Sequence, residues 1–249
     1  MSSTLYAFLL STVAGVSTLI GYLFIYINKG RENVISKALG FASGVMITIS
    51  IIDLIPNAFL LIINEYNNKY TLLSILIALL VGIIISSIVD RKIEKRSKKG
   101  LKLYKIGIIT MLVIIMHNIP EGIATYITTT NNTKLGIVLT IAIALHNIPE
   151  GISISIPIYY ATNNKIKALV YTFISGISEL IGAIISYLFL AKYINNTILG
   201  VIYSVIAGMM INIAINELYK ESINYNKKNT ILYFIMGIFI MMLNHILFG

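Results

Sequence analysis

HNIPEG stands at residues 117–122, within MHNIPEGIA, and stands again letter for letter at 146–151, within LHNIPEGIS. Both copies interrupt long apolar runs, and that placement decides the fold. A run long enough to cross a hydrocarbon core needs roughly 20 residues, and each motif sits near the middle of such a run. The chain as a whole is 57% hydrophobic and 12% charged, with a mean hydropathy of +0.86. Soluble domains carry about twice that charge, so the composition describes a membrane protein.

Apolar runs between polar breaks predict eight spanning helices, over 4–28, 38–63, 71–90, 106–127, 135–159, 168–191, 197–219 and 230–248. The breaks, such as Asn67-Asn68-Lys69, Asn131-Asn132, Thr162-Asn163-Asn164-Lys165 and Asn195-Asn196, are short. They leave little room for a separate extramembrane domain, so residues 1–249 are expected to form one all-α polytopic domain. No Lys or Arg precedes the first run, so it lacks the basic start of a cleaved signal and is expected to remain as a span. Cysteine is absent, which removes thiolate ligands and disulfides.

The basic residues set the orientation. Alternate connections collect nearly all of them, and only Lys69, Lys134 and Lys192 of the 19 fall on the opposite side. Cytoplasmic loops hold the excess of Lys and Arg, which predicts both termini outside and the run RKIEKRSKKGLKLYK, Arg91 to Lys105, as a cytoplasmic loop. That run resembles a nucleic-acid patch only in isolation. Between two spans it faces anionic lipid and fixes topology, so nucleic acid is not an expected partner.

The ten acidic residues are distributed differently. Glu121, Glu150 and Glu179 fall mid-span, Asp53 lies within the second span, and Glu217 lies toward the end of the seventh. A carboxylate at that depth is costly unless it is solvated, paired or neutralised. No Lys or Arg is present mid-span to pair with it, so the natural counter-charge is a cation from outside the chain.

Residues four apart share a helix face. His117 therefore projects with Glu121, and His146 with Glu150, while Asn118 and Asn147 flank them. Pro120 and Pro149 leave the carbonyls of Met116 and Leu145 without their helical donors, and broken hydrogen bonding at mid-depth is common in transporter sites. Gly122 and Gly151 allow a neighbouring helix to come close. His117, His146 and Glu179 each fall twelfth in their predicted spans, hence at one depth. Imidazole with carboxylate suits Zn(II), Fe(II), Mn(II) and related ions. Interhelical polar pairing alone would explain one His-Asn pair, and it stands as the other reading of the repeated motif and of Glu179. Asp53 fits a polar vestibule or a pathway, His245 an interface or a ligand, and Met46 packing or a weak thioether ligand.

These residues resemble the ZIP family of divalent metal transporters. The likeness runs through GFASGVMITISIIDLIPNAF, MHNIPEGIA, LHNIPEGISISIPI, SGISELIGA and INELYKES. It implies eight helices with both termini outside, and a binuclear metal site between the fourth, fifth and sixth spans. Matched residue by residue, it implies metal ligation by His117, Asn118, Glu121, His146, Asn147, Glu150 and Glu179. Met46 is similar to a second-span thioether ligand, and Glu217 and Glu221 to an acidic cluster near the cytoplasmic exit. Two departures stand out. The loop before the fourth span has no histidine, where many members have several, and the second motif begins His-Asn where some members have Gln-Asp. Two histidines are similar to the broad-specificity bacterial branch.

The expected function is uptake across the cell membrane of a divalent transition metal as transported substrate: Zn2+ first, then Fe2+, Mn2+, Co2+ or Cd2+. The expected path runs past Asp53 and His245, through the His/Glu/Asn site and out past Glu217 and Glu221. The expected partners are these ions and the lipid bilayer, with a homodimer left open. An intramembrane metalloenzyme would need a further general base, and no HExxH signature is present. A divalent cation channel would favour rings of carboxylates over imidazoles.

Overall fold

The structure, a computed structural model, describes residues 3–27, 30–96, 102–188 and 196–248, with only the backbone of 93–96. Lys29, Lys192 and the centre of the basic loop, including Lys98 and Lys99, lie outside the described residues. So do the side chains of Lys95 and Arg96. Among the described residues there are eight helices long and apolar enough to span a membrane, and no strand. They are α1 Ser3–Tyr26, α2 Arg31–Ile63, α3 Asn68–Lys92, α4 Lys102–Asn131, α5 Thr133–Thr162, α6 Lys165–Leu188, α7 Asn196–Tyr225 and α8 Lys227–Phe248.

Most helices begin several residues before the apolar runs do. Their first turns carry Arg31, Lys102, Lys165, Lys167 and Lys227, residues that end a hydropathy run without ending a helix. The expected loop 91–105 is therefore shorter than predicted. The helix of α3 continues to Arg96 and α4 starts at Lys102, so Lys105 belongs to a helix and is buried.

The eight helices form two groups. One contains α1, α4, α5 and α6; the other contains α2, α3, α7 and α8, and packing within each group is far more extensive than between them. Between the groups, α2 meets α5 and α4 meets α7, with slighter contacts from α8 to α5 and from α3 to α4. Among the described residues, close approach through glycine occurs only inside the groups: Gly122 against Glu179 and Gly182 against Ile119 join α4 to α6, while Gly82 against Val205 and Gly208 against Leu79 join α3 to α7. In lipid there is little hydrophobic drive between helices, so such backbone contact supplies much of the association.

Burial ranks the helices by position. In the apolar window of α4, 72% of residues are buried, against 22% in α3 and 17% in α8. α4 is thus central, and α3 and α8 turn leucines and isoleucines such as Leu76, Leu80, Leu232 and Ile235 to the lipid. Two helices are locally widened into π turns, α2 at Ser50–Leu54 and α7 at Ala214–Tyr219. Single π turns are rare and gather at functional sites. The first contains Asp53 and the second Glu217.

Candidate metal centre

Asn132 alone separates α4 from α5. Its backbone is extended, and its Oδ1 accepts from the amides of Lys134 at 3.1 Å and Leu135 at 3.3 Å, which caps α5 and makes the hairpin tight. His117 lies 15 residues before this turn and His146 lies 14 after it. An antiparallel hairpin therefore brings the two copies of HNIPEG side by side. Both helices run unbroken across Pro120 and Pro149.

Glu121 is the meeting point. Its Oε1 lies 2.9 Å from His146 Nε2 and 3.1 Å from His117 Nε2, and the two imidazole centroids are 5.9 Å apart. Two imidazoles can share one carboxylate oxygen at these distances only if each presents an N–H to it or a cation lies between them. One ligand atom each from His117, Glu121 and His146 lies within 4.8 Å of the others. All three side chains are almost wholly buried.

A second set of oxygens lies beside the first. Glu150 Oε1 is 3.6 Å from His117 Nε2. Asn147 donates to Glu179 Oε2 at 2.9 Å and to the carbonyl of Ala14 at 2.9 Å, and Asn118 donates to the carbonyl of Ser175 at 3.2 Å. These bonds use the amide nitrogens and leave the oxygens. Asn118 Oδ1, Asn147 Oδ1, both oxygens of Glu150 and Glu179 Oε1 are buried without a hydrogen-bond donor among the described residues. Unpaired buried acceptors are expensive, and a set made only of acceptors fits a cation. These residues could hold hard or borderline divalent ions in a mixed nitrogen and oxygen shell.

A cavity of about 110 Å³ opens between the two helix groups, and its walls include Asp53, Asn57, Glu121, His146, Tyr203 and His245. Asn57 donates to Asp53 Oδ1 at 2.6 Å, one turn along α2, which holds the carboxylate beside the opening. Asp53 and His245 thus share the cavity with two residues of the cluster, whereas Glu217 and Glu221 lie at the opposite end of the bundle. There Glu217 is 3.8 Å from Lys105 Nζ, and Glu221 is ion-paired with Lys102. Met46 is fully buried in the main apolar core.

Four participants carry no mark of their own in the sequence. Tyr203 on α7 is an aromatic in an apolar run and gives no signal of its own. The carbonyls of Ala14 and Ser175 hold the two asparagines, and a backbone group cannot be singled out from sequence. Asp90, 2.7 Å from Lys105 Nζ, fell at the edge of a basic loop, where a lone carboxylate is unremarked.

The chain is similar to known proteins over nearly its whole length. The pattern of the family described as ZIP Zinc transporter matches residues 86–245. The zinc transporter ZupT of Streptococcus mutans is 38% identical, with 97% of each chain covered. The zinc transporter ZupT of Clostridium perfringens is 36% identical over 100% of this chain and 98% of its own. That of Oceanobacillus iheyensis is 36% identical over 94% of each. With likeness of this extent running from end to end and both HNIPEG segments inside the matched pattern, the chain belongs to the ZIP zinc transporter family.

Proposed function

We propose that residues 1–249 act as one transport unit that carries divalent transition metal ions, zinc foremost, into the cytoplasm, with both chain termini outside. The observation that carries this reading is Glu121 Oε1 shared by two imidazole nitrogens at the floor of a cavity. The cavity has room for several waters, so a cation could arrive hydrated and exchange water for His117, His146 and Glu121. Glu150, Glu179, Asn118 and Asn147 then offer oxygens for a second ion beside the first, and carboxylates placed between two ions offset their repulsion. Fe2+, Mn2+, Co2+ and Cd2+ suit the same mixed donors. Met46 is the weakest ligand candidate, and Asp53, His245, Glu217 and Glu221 mark the way in and out.

Among the described residues, Ile109, Ile114, Met210 and Ile213 lie beyond His117 in the core, all essentially unexposed. Together with the two helix groups, this supports a carrier in which one group moves against the other, rather than a channel. Uptake by the purified protein in proteoliposomes tests it. Saturable zinc flux is expected; large unsaturated flux would indicate a channel, and no flux would remove the transport reading.

His146 sets the balance among metals in this reading. Imidazole favours Zn2+, whereas an amide oxygen suits Mn2+ relatively better. His146→Gln keeps a polar group beside Glu121 but removes one nitrogen, so zinc uptake is expected to fall by about tenfold more than manganese uptake. Competition uptake with both ions measures this, and an equal fractional loss would make His146 structural only.

A further inference from the structure

The cavity lies between the helix groups at one end of the molecule, and charged pairs join the groups at the other. Lys102 and Lys105, on the first turn of α4, reach out of their own group to the opposite one. Lys105 Nζ lies 2.7 Å from Asp90 Oδ1 on α3 and 3.8 Å from Glu217 Oε1 on α7. Lys102 is ion-paired with Glu221, also on α7. Lys105 and Glu221 are buried, at 7% and 6% exposure, and Glu217 sits in the π turn of α7.

The pairs of Lys105, unlike that of the half-exposed Lys102, differ from surface salt bridges in two respects. A buried ammonium between two carboxylates cannot be released to a low-dielectric region without replacement charge, so it resists separation far more than an exposed pair does. The pairs also join the groups where they otherwise touch lightly, α4 with α7 and α3 with α4. Lys105 is three turns below His117 on the same helix, roughly 18 Å along the axis, and too far to touch the metal centre. Among the described residues no glycine contact crosses this boundary, so close backbone packing does not duplicate the charge pairs there.

We propose that Lys105, seconded by Lys102, is an electrostatic latch that holds the end opposite the cavity shut, through Asp90, Glu217 and Glu221, and so poises the resting protein with its cavity open. The latch rests on the transport reading only in assuming that the groups move; its test follows conformation, not flux. Because the chain has no cysteine, single reporters can be installed. Ala142→Cys lies in the cavity wall. Ile109→Cys is one turn deeper than Lys105 on the same face and fully buried.

With the latch intact, a maleimide should modify the thiol of Ala142→Cys readily and that of Ile109→Cys hardly at all. Lys105→Met should speed modification at position 109 by about tenfold or more and slow it at position 142, whereas Lys105→Arg should leave both as they were. Lys105→Met strands two neighbouring carboxylates, so the neutral triple variant Lys105→Met/Asp90→Asn/Glu217→Gln serves as the second arm, with the same expected shift. Unchanged protection of position 109 in the triple variant would overturn the latch. Failure of that variant to fold would overturn it equally, since a contact that opens in every cycle cannot be required for folding. If labelling shifts as expected but the parent moves no metal, the latch stands and the transport reading falls.

Discussion

Glu121→Ala is expected to abolish zinc uptake, by about a hundredfold or more, while the protein still accumulates in the membrane and purifies as a folded species. Glu121 offers the one oxygen that both imidazoles approach, at 2.9 and 3.1 Å. Glu121→Ala takes away both a ligand oxygen and the negative charge that faces the cation, and a loss of about 2.8 kcal/mol in metal binding is about a hundredfold. The fold is expected to tolerate the change because the partners left behind are imidazoles, which can remain neutral, and no buried charge is stranded. Paired measurements decide it, uptake in proteoliposomes and melting in detergent. Near-normal uptake by a normally folded variant would remove the proposed centre.

The sequence made the helices and the repeated motif legible because both depend on short-range pattern. Apolar length set eight spans, and i to i+4 spacing placed His117 with Glu121. Equal depth of the two histidines followed from counting, and the structure adds the cause, a one-residue turn at Asn132. The ends of helices were less legible, since lysines end a hydropathy run without ending a helix; Lys105 is the case that mattered, being buried on α4 and not in a loop.

What could not be read depends on contacts between distant segments. The π turns around Asp53 and Glu217 have no sequence signature, although each carries a pathway carboxylate. Pro56, two residues after the first π turn, is tolerated there as the opening of a new helical segment. The division into two helix groups is likewise invisible in a linear pattern, because α1 joins α4, α5 and α6 across the intervening α2 and α3. The carbonyl of Ala14 on α1 reaches Asn147 only through that topology.

The last letter of HNIPEG also makes a strong prediction. Gly122→Leu is expected either to prevent accumulation of the protein or to leave a folded form with uptake lowered by about a hundredfold. A Cβ at position 122 would fall on the carbonyl of Glu179 and within 3.1 Å of the Ala183 nitrogen. The obstacle is backbone, so no rotamer change relieves it, and overpacking that moves a helix costs about 1–3 kcal/mol or more. Any shift of α6 that makes room draws Glu179 away from Asn147, now 2.9 Å distant. Ala124→Leu is the control. It adds similar bulk two residues away but projects into the cavity wall, so it should narrow access and lower uptake without lowering the melting temperature. Equal melting temperatures for the two variants would show that α4 and α6 do not depend on the glycine contact. The second copy of the motif works on a different partner, for Gly151 meets Thr18 and Gly21 of α1, the helix that supplies the Ala14 carbonyl. Each HNIPEG thus carries its own donors and its own means of bringing up a neighbour, α6 with a third carboxylate for the first copy and α1 with a carbonyl that orients Asn147 for the second. That division explains why the asparagine and the glycine recur together with the histidine and the glutamate.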